Sequence, residues 1–225
     1  MTSKFSGFNA LDAVFEKCNK EAIEFQKVLH LNEENKIKLS GLINKIETNH
    51  FSTEKEKGDA LELLTRETLK ALKFFDALPN IHSSTNEIDF LCKLSAPGNI
   101  AKSKGYFRFE NDFLIECKNY ARPVDVTYVG KFASLLISHS KKFGILVSKK
   151  GVTGSGWSDA YGWTKKLYLK HDLLIISFTL NDFRKLTNNE SFFEIIEQKK
   201  MDIINDTDIS LYLQKHPAMD TPHSQ

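Results

Sequence analysis

The chain has 225 residues, of which 41% are hydrophobic and 27% are charged, a composition typical of a globular protein with one large domain. A net charge of +2 excludes the strongly basic field of a histone-like protein, so contacts with nucleic acid would have to come from local clusters. No stretch approaches roughly 18 uncharged apolar residues, so we expect no membrane span. The three scattered cysteines, Cys18, Cys92 and Cys117, favour a reducing cytoplasm over a disulfide framework or a zinc site.

The N-terminal part of the chain carries apolar residues at helical spacing. Two such sets within residues 8–48, separated by the polar segment Asn32–Asn35, predict a helical hairpin. The charged segment Thr53–Asp59 follows and is the best candidate for a domain boundary. We therefore predict a helical N-terminal arm at residues 1–56. Its role is packing on the main domain or dimerisation, with a clamp on DNA as the alternative.

The middle of the chain alternates apolar runs with amphipathic segments. An amphipathic helix is expected from Gly58 to Phe75, with Pro79 ending it. Strands and helices then follow in an order that predicts an α/β fold with a central mixed sheet flanked by helices. The strands are expected at residues 87–94, 106–109, 113–118, 143–148 and 173–178, with a loop at 95–105 and helices at 129–138, 160–170 and from 181. This core is predicted to span residues 57–186. Residues 187–225 are expected to hold terminal helices, at 191–198 and 208–215, and a frayed tail.

The most informative stretch is Ile115–Asn119, in which Glu116 and Lys118 stand two residues apart within an apolar strand. Residues i and i+2 of a strand share a face, so the carboxylate and the ammonium lie on one side and Cys117 on the other. A buried strand normally places no two charges together, because each needs a partner. A reaction centre does need them, since a carboxylate can hold a divalent cation and an ammonium can orient a water.

Two further acidic residues are candidates for the same site. Asp89 lies in a mostly apolar strand and could meet Glu116 across neighbouring strand ends, about 5 Å away. Two carboxylates that close repel unless a cation lies between them, and hard oxygen ligands suit Mg²⁺ or Mn²⁺. Glu62 lies one residue from the apolar stripe of its helix and could lean inward. The alternatives are a solvated cross-strand ion pair for Glu116 and Lys118, a turn or salt-bridge aspartate for Asp89, and an exposed helical residue for Glu62.

Asp89 followed by Glu116-x-Lys118, with Glu62 on an upstream helix, resembles the PD-(D/E)xK nuclease superfamily and, within it, Mrr-like restriction endonucleases. The resemblance covers about residues 57–183. Gly58 before Glu62, and the strand and turn at 147–153, also fit that pattern. Two positions depart from it: residue 88 is Ile where the motif has proline, and the helix after the E-x-K strand has no glutamine, only Tyr128, Gly130 and Lys131 in that region.

The resemblance implies a restriction-endonuclease-like core that hydrolyses DNA phosphodiester bonds with Mg²⁺, for which Mn²⁺ could substitute. Asp89, Glu116 and the backbone carbonyl of Cys117 would bind the ion. Lys118 would position or help deprotonate the attacking water and stabilise the developing charge, and Glu62 would hold a metal-bound water or a second ion. Restriction and defence against foreign DNA are the implied setting.

Four lysines are expected to contact DNA, because they lie in loops at strand ends that we expect to border the site: Lys102, Lys104, Lys149 and Lys150. A homodimer is expected, since cutting both strands needs a second copy or a partner subunit, which could also supply sequence recognition. Two alternatives remain. One is a catalytically silent nucleic-acid-binding or assembly module on the same fold, and the other is an RNA-directed nuclease, because this chemistry does not depend on a 2′-hydroxyl.

Overall fold

The protein is described by a computed structural model that covers residues 16–18, 20, 21, 23–82 and 87–206. Within these residues a five-stranded sheet has helices on both faces, which confirms the predicted α/β fold with a central mixed sheet. The strands are β1 (Phe75–His82), β2 (Glu87–Leu94), β3 (Asp112–Lys118), β4 (Phe143–Ser148) and β5 (Leu174–Thr179). The helices with defined bounds are α1 (Glu33–Thr48), α2 (Glu54–Leu72), α3 (Ala96–Ser103), α4 (Val126–Ser138), α5 (Asp159–His171), α6 (Leu180–Thr187) and α7 (Phe192–Asp206). Residues 23–28 are also helical, and the helix predicted at 208–215 lies outside the described residues.

The strands follow one another across the sheet in chain order. The first three, β1, β2 and β3, are antiparallel, whereas β4 and β5 run parallel to β3. Each parallel connection is a helix, α4 before β4 and α5 before β5. The carboxyl ends of β3, β4 and β5 therefore meet at one edge of the sheet, with the beginning of β2 beside them. We call this the carboxyl edge.

The sheet is buried on both faces, because β3 and β4 carry almost uninterrupted apolar runs. Phe113 and Ile115 belong to one core cluster, together with residues of α1, α2, α6 and α7. Leu114 belongs to a second cluster on the other face, with residues of α4 and α5. Alternation along β3 thus decides which helices each side chain meets, and Glu116 follows Leu114 by two positions.

Helix α1 shares the main core. Leu39, Ile43 and Ile46 are buried in the cluster that covers the sheet, and α1 contacts α2 and α6. Its last turn is held by Lys149, whose Nζ donates to the Ile46 carbonyl at 2.9 Å. The described part of the predicted arm is thus packed on the main domain, whereas dimerisation and DNA contact by this arm stay predictions.

The N-terminal boundary of α2 differs from the sequence interpretation. The charged segment that suggested a connector forms the first turns of the helix. Thr53 is the N-cap, and its hydroxyl accepts a hydrogen bond from the Glu56 N–H at 3.1 Å. Acidic residues favour the first turn of a helix, which explains why a charged run begins one here.

Strand β1 was not predicted. Helix α2 ends at Leu72, and Lys73 takes a left-handed conformation with φ of 61°, after which the chain turns into the sheet. The helical spacing of apolar residues continued to Phe75, and Pro79 suggested a helix end. Proline is tolerated in this strand because β1 lies at the edge of the sheet, where a missing N–H costs no ladder hydrogen bond.

The region before β3 was also predicted incorrectly. Residues 106–109 do not form a strand, and the expected loop at 95–105 contains α3. Ser95 caps this helix by accepting a hydrogen bond from the Gly98 N–H at 3.2 Å, and Pro97 fits the first turn. The proline and glycine that suggested a loop are residues that begin a helix here.

Candidate active site

Glu116 and Lys118 form an ion pair at the carboxyl edge, with Lys118 Nζ 2.5 Å from Glu116 Oε1. Glu116 is only 9% exposed, and its second oxygen, Oε2, is buried without a hydrogen-bond donor in the described part of the chain. Burial and the nearby carboxylate of Asp89 raise the pKa of Glu116, while the ammonium of Lys118 works in the opposite direction. The environment on balance disfavours the negative charge on Glu116.

Lys118 is held as a cation. Burial would lower the pKa of Lys118, but the carboxylates of Glu116 and Asp89 outweigh it, and the net pKa is raised above the usual 10.5. An ammonium in this state donates hydrogen bonds and carries positive charge. Both roles expected for Lys118, positioning the water and helping to deprotonate it, stay predictions.

Asp89 lies where β2 and β3 separate. The paired register of these strands ends at Phe90 and Ile115, whereas that of β3 with β4 continues to Lys118 and Ser148. Beyond the last pair, the Asp89 carboxylate accepts a hydrogen bond from the Cys117 N–H at 2.6 Å. The Asp89 side chain thus accepts the hydrogen bond of this N–H at the point where the backbone pairing of β2 and β3 ends. The structure brings Asp89, Glu116 and Lys118 together, within electrostatic reach of one another.

Cys117 points to the opposite face. Its Sγ lies 3.5 Å from the hydroxyl of Thr65 on α2, and burial, followed by the Asp89 charge, raises the pKa of the thiol well above its ordinary value. A buried thiol with a raised pKa is a poor nucleophile, in agreement with its predicted place in the core.

Glu62 is half-buried on α2, on the side where Cys117 lies, and its charge also raises the pKa of Cys117. Among the described residues, no three or more His, Cys, Asp or Glu side chains form a group that could hold a metal ion. The charges of Glu62, Asp89 and Glu116 all act on Cys117. The role of Glu62 in holding a metal-bound water or a second ion stays a prediction.

Lys149 and Lys150 follow β4 and lie at the carboxyl edge, as expected. The Nζ of Lys149 donates a hydrogen bond to the last turn of α1. Burial and the positive charges of Lys150 and Lys57 lower the pKa of Lys149. Lys150 is exposed. The electrostatic effect places Lys57, which sequence reasoning had not singled out, in the same basic region.

Lys102 and Lys104 lie at the other end of the sheet. Because β2 runs antiparallel to β3, α3 and the following loop are carried away from the carboxyl edge. The Nζ of Lys102 donates to the Phe109 carbonyl at 2.6 Å and to Asn111 Oδ1 at 2.8 Å, so it holds this loop together. The expectation that this loop borders the carboxylates was wrong, because strand direction was not considered.

Asn119 was missed by sequence reasoning. It is 7% exposed, and its Nδ2 donates to the Lys57 carbonyl at 2.5 Å, which ties the end of β3 to the start of α2. Since a carbonyl only accepts, the amide must face it, and Oδ1 points away. This oxygen is buried and has no hydrogen-bond partner among the described residues. A polar residue directly after the E-x-K triplet was the signal that could have identified it.

Comparisons with known proteins give a similarity in structure but no family. No family model and no curated protein matches the chain. The structure is similar to that of the DNA modification-dependent restriction endonuclease AspBHI, with a TM-score of 0.41 and 18% sequence identity. The match covers 80% of this chain and 41% of that protein, so the chain spans less than half of the endonuclease. Within the described residues, no helix has the length and apolar character needed to cross a membrane.

Proposed function

We propose that the chain is a metal-dependent nuclease of the restriction-endonuclease-like class, which hydrolyses DNA phosphodiester bonds at Asp89, Glu116 and Lys118. The observation that carries the proposal is Glu116, a buried carboxylate with one oxygen on Lys118 and a second carboxylate close by, whose other oxygen has no donor among the described residues. A structural ion pair has no reason to leave a buried oxygen unsatisfied, because doing so costs about 1–3 kcal/mol.

The donor set fits Mg²⁺. This ion is usually held by one or two carboxylates and keeps several waters, so Asp89 and Glu116 suffice without a third acidic side chain. The backbone carbonyl of Cys117 would add a further hard oxygen, and Mn²⁺ would substitute. Glu62 would hold a metal-bound water or a second ion from the α2 side. When bound, Mg²⁺ would activate water for attack and neutralise charge on the phosphate oxygen.

Lys118 would act as a donor in this reaction. Its raised pKa keeps the side chain protonated, and the pairing with Glu116 fixes its direction. The ammonium would orient the attacking water and stabilise the charge that develops on the phosphate. Removal of one such preorganised donor typically lowers kcat by about 10²–10³-fold.

Lys149 and Lys150 would contact the DNA backbone from the same edge, with Lys150 the more available of the two. A chain with one such site would act on both strands as a homodimer or with a partner subunit that supplies recognition. Restriction-type defence in the cytoplasm is the setting proposed from the sequence resemblance.

The test is a cleavage assay with the full chain on supercoiled, linear and single-stranded DNA and on RNA, with Mg²⁺, Mn²⁺ or EDTA. Glu116→Ala and Lys118→Ala are compared with Lys170→Ala, a lysine in the last turn of α5, away from the carboxyl edge. We expect cutting by the native chain and by the control, with a loss of at least about 10²-fold in the two site variants. Equal activity in all four proteins would overturn the site. Cleavage of RNA only would change the proposed substrate from DNA to RNA. A chain that cuts neither nucleic acid and also does not bind Mn²⁺ would support the catalytically silent module.

A further inference from the structure

A pair of tyrosines, neither used in the chemistry above, lies beside the site. Tyr120 follows Lys118 by two residues, and Tyr128 lies in the first turn of α4. Their ring centroids are 5.2 Å apart with a tilt of 55°. Both rings are partly exposed and pack against the cluster that contains Leu114, which places them on the sheet face of Glu116.

Tyr120 is electrostatically connected to the ion pair. The charges of Lys118 and Glu116 both act on its phenol, in opposite directions. Burial comes first among the causes that raise the pKa of Tyr120 to about 12, followed by a hydrogen bond with Tyr128. The phenol is therefore protonated at neutral pH and can donate a hydrogen bond.

A cation lies over one of these rings, and a second is close in sequence. Lys131 is exposed, and its Nζ lies over the Tyr128 ring, 5.1 Å from the centroid. Arg122 is exposed in the segment that joins β3 to α4. The acidic residue of that segment, Asp125, is engaged as the N-cap of α4, with its carboxylate 2.8 Å from the Thr127 N–H. We call Tyr120, Arg122, Tyr128 and Lys131 the tyrosine surface.

We propose that the tyrosine surface binds the nucleic-acid strand next to the scissile phosphate, with an unpaired base on the partly exposed Tyr128 ring and neighbouring phosphates on Arg122 and Lys131. The proposal rests on the function proposed above and adds the form of the substrate. Aromatic rings beside cations are the usual means of holding unstacked nucleotides, because every base has a face that stacks and every phosphate is negative. Lys131 lies over a partly exposed ring, and the exposed Arg122 follows Tyr120 by two residues.

The experiment measures binding separately from cleavage. A fluorescent single-stranded oligonucleotide and the matching duplex are titrated in EDTA and in Ca²⁺, with anisotropy as the readout. We expect Tyr128→Ala to weaken single-strand binding by about 5- to 150-fold, the loss typical of one stacked base, while Tyr128→Phe keeps it. Lys131→Ala should weaken binding to oligonucleotides of any sequence. It should also reduce the slope of log affinity against log salt concentration by about one.

The controls are Tyr106→Phe, on the far side of the protein against Phe25, and Lys170→Ala. Melting temperatures confirm that each variant is folded. Unchanged binding by folded Tyr128→Ala and Lys131→Ala would overturn the tyrosine surface, even if the native chain cuts DNA. Binding that depends on these residues without any cleavage would keep the surface and overturn the nuclease. A native chain that binds neither oligonucleotide would overturn both.

Discussion

The carboxylate of Asp89 accepts a hydrogen bond from the backbone N–H of Cys117 at 2.6 Å, at the point where the paired register of β2 and β3 has ended. This bond holds the Asp89 carboxylate against the residue that follows Glu116. The charge of Asp89 also acts on the Glu116 carboxyl group and raises its pKa.

Asp89→Asn separates the two roles of this side chain. Asparagine can still accept from the Cys117 N–H but has no charge for a cation. We expect a melting temperature close to that of the native protein, with weaker Mn²⁺ binding by calorimetry and a drop in cleavage of about 10²-fold or more. Asp89→Leu, which also removes the acceptor, should be less stable. Full cleavage by Asp89→Asn would contradict the role of Asp89 in metal binding.

Glu116→Gln should stabilise the metal-free protein at neutral pH. The pKa of Glu116 is raised above 4.5 by burial and by Asp89, so the folded state binds a proton more tightly than the unfolded state. Stability therefore falls as pH rises from about 4.5 through the folded pKa. Each kcal/mol should move the melting temperature by about 2–4 °C in a chain of this size.

The check is a set of melting curves from about pH 4 to 8 for native protein and Glu116→Gln. The advantage of the variant should disappear at low pH, where Glu116 is protonated in the native protein too. Mn²⁺ should raise the melting temperature of native protein only. A variant that is less stable at every pH would show that the ion pair with Lys118 outweighs the cost of the buried charge.

Asn119→Ala tests the tie between β3 and α2. The substitution removes the hydrogen bond to the Lys57 carbonyl, and we expect a loss of about 0.5–1.5 kcal/mol in the free energy of unfolding. Hydrogen exchange should increase mainly in the first turn of α2, near residues 54–60. A uniform increase over the whole domain, or none, would mean that Asn119 does not hold this helix.

Two glycines near α4 give a matched pair for packing. A Cβ on Gly144 of β4 would lie 2.7 Å from the Phe132 ring, whereas a Cβ on Gly130 of α4 meets no atom within 4 Å. Gly144→Ala should destabilise by about 1–3 kcal/mol, and Gly130→Ala should stabilise by up to about 1 kcal/mol through helix propensity. Urea unfolding measures both. Equal effects of the same sign would contradict the close approach of α4 to the sheet.

The sequence predicted those parts of the site that depend on local spacing. Alternation along β3 places Glu116 and Lys118 on one face, and this rule needs no knowledge of neighbouring strands. Asp89 could be proposed as a site residue because the other residues of its strand are mostly apolar. The position of Glu62 relative to the carboxylate pair depends on how α2 packs over the sheet, which its spacing within the helix does not specify, so its part in the site stays a prediction.

Features that depend on chain direction were not predictable in the same way. Lys102 was expected to border the site because it lies in a loop at a strand end, yet the antiparallel direction of β2 carries this loop to the opposite end of the sheet. Strand β1 was not predicted because Pro79 suggested a helix end. Proline fits this strand because β1 lies at the edge of the sheet. The two residues after the triplet, Asn119 and Tyr120, carried no motif, and their contacts become visible only when α2 and α4 are in place.

The rate of the first nick in supercoiled DNA, measured at saturating Mg²⁺ for native protein and folded Lys118→Ala, tests the proposed site most directly. The expected result is nicking by the native chain that EDTA abolishes, and a rate at least about 10²-fold lower in the variant, with Lys170→Ala at the native rate. Nicking by Lys118→Ala at the native rate would contradict catalysis at the Glu116 and Lys118 pair.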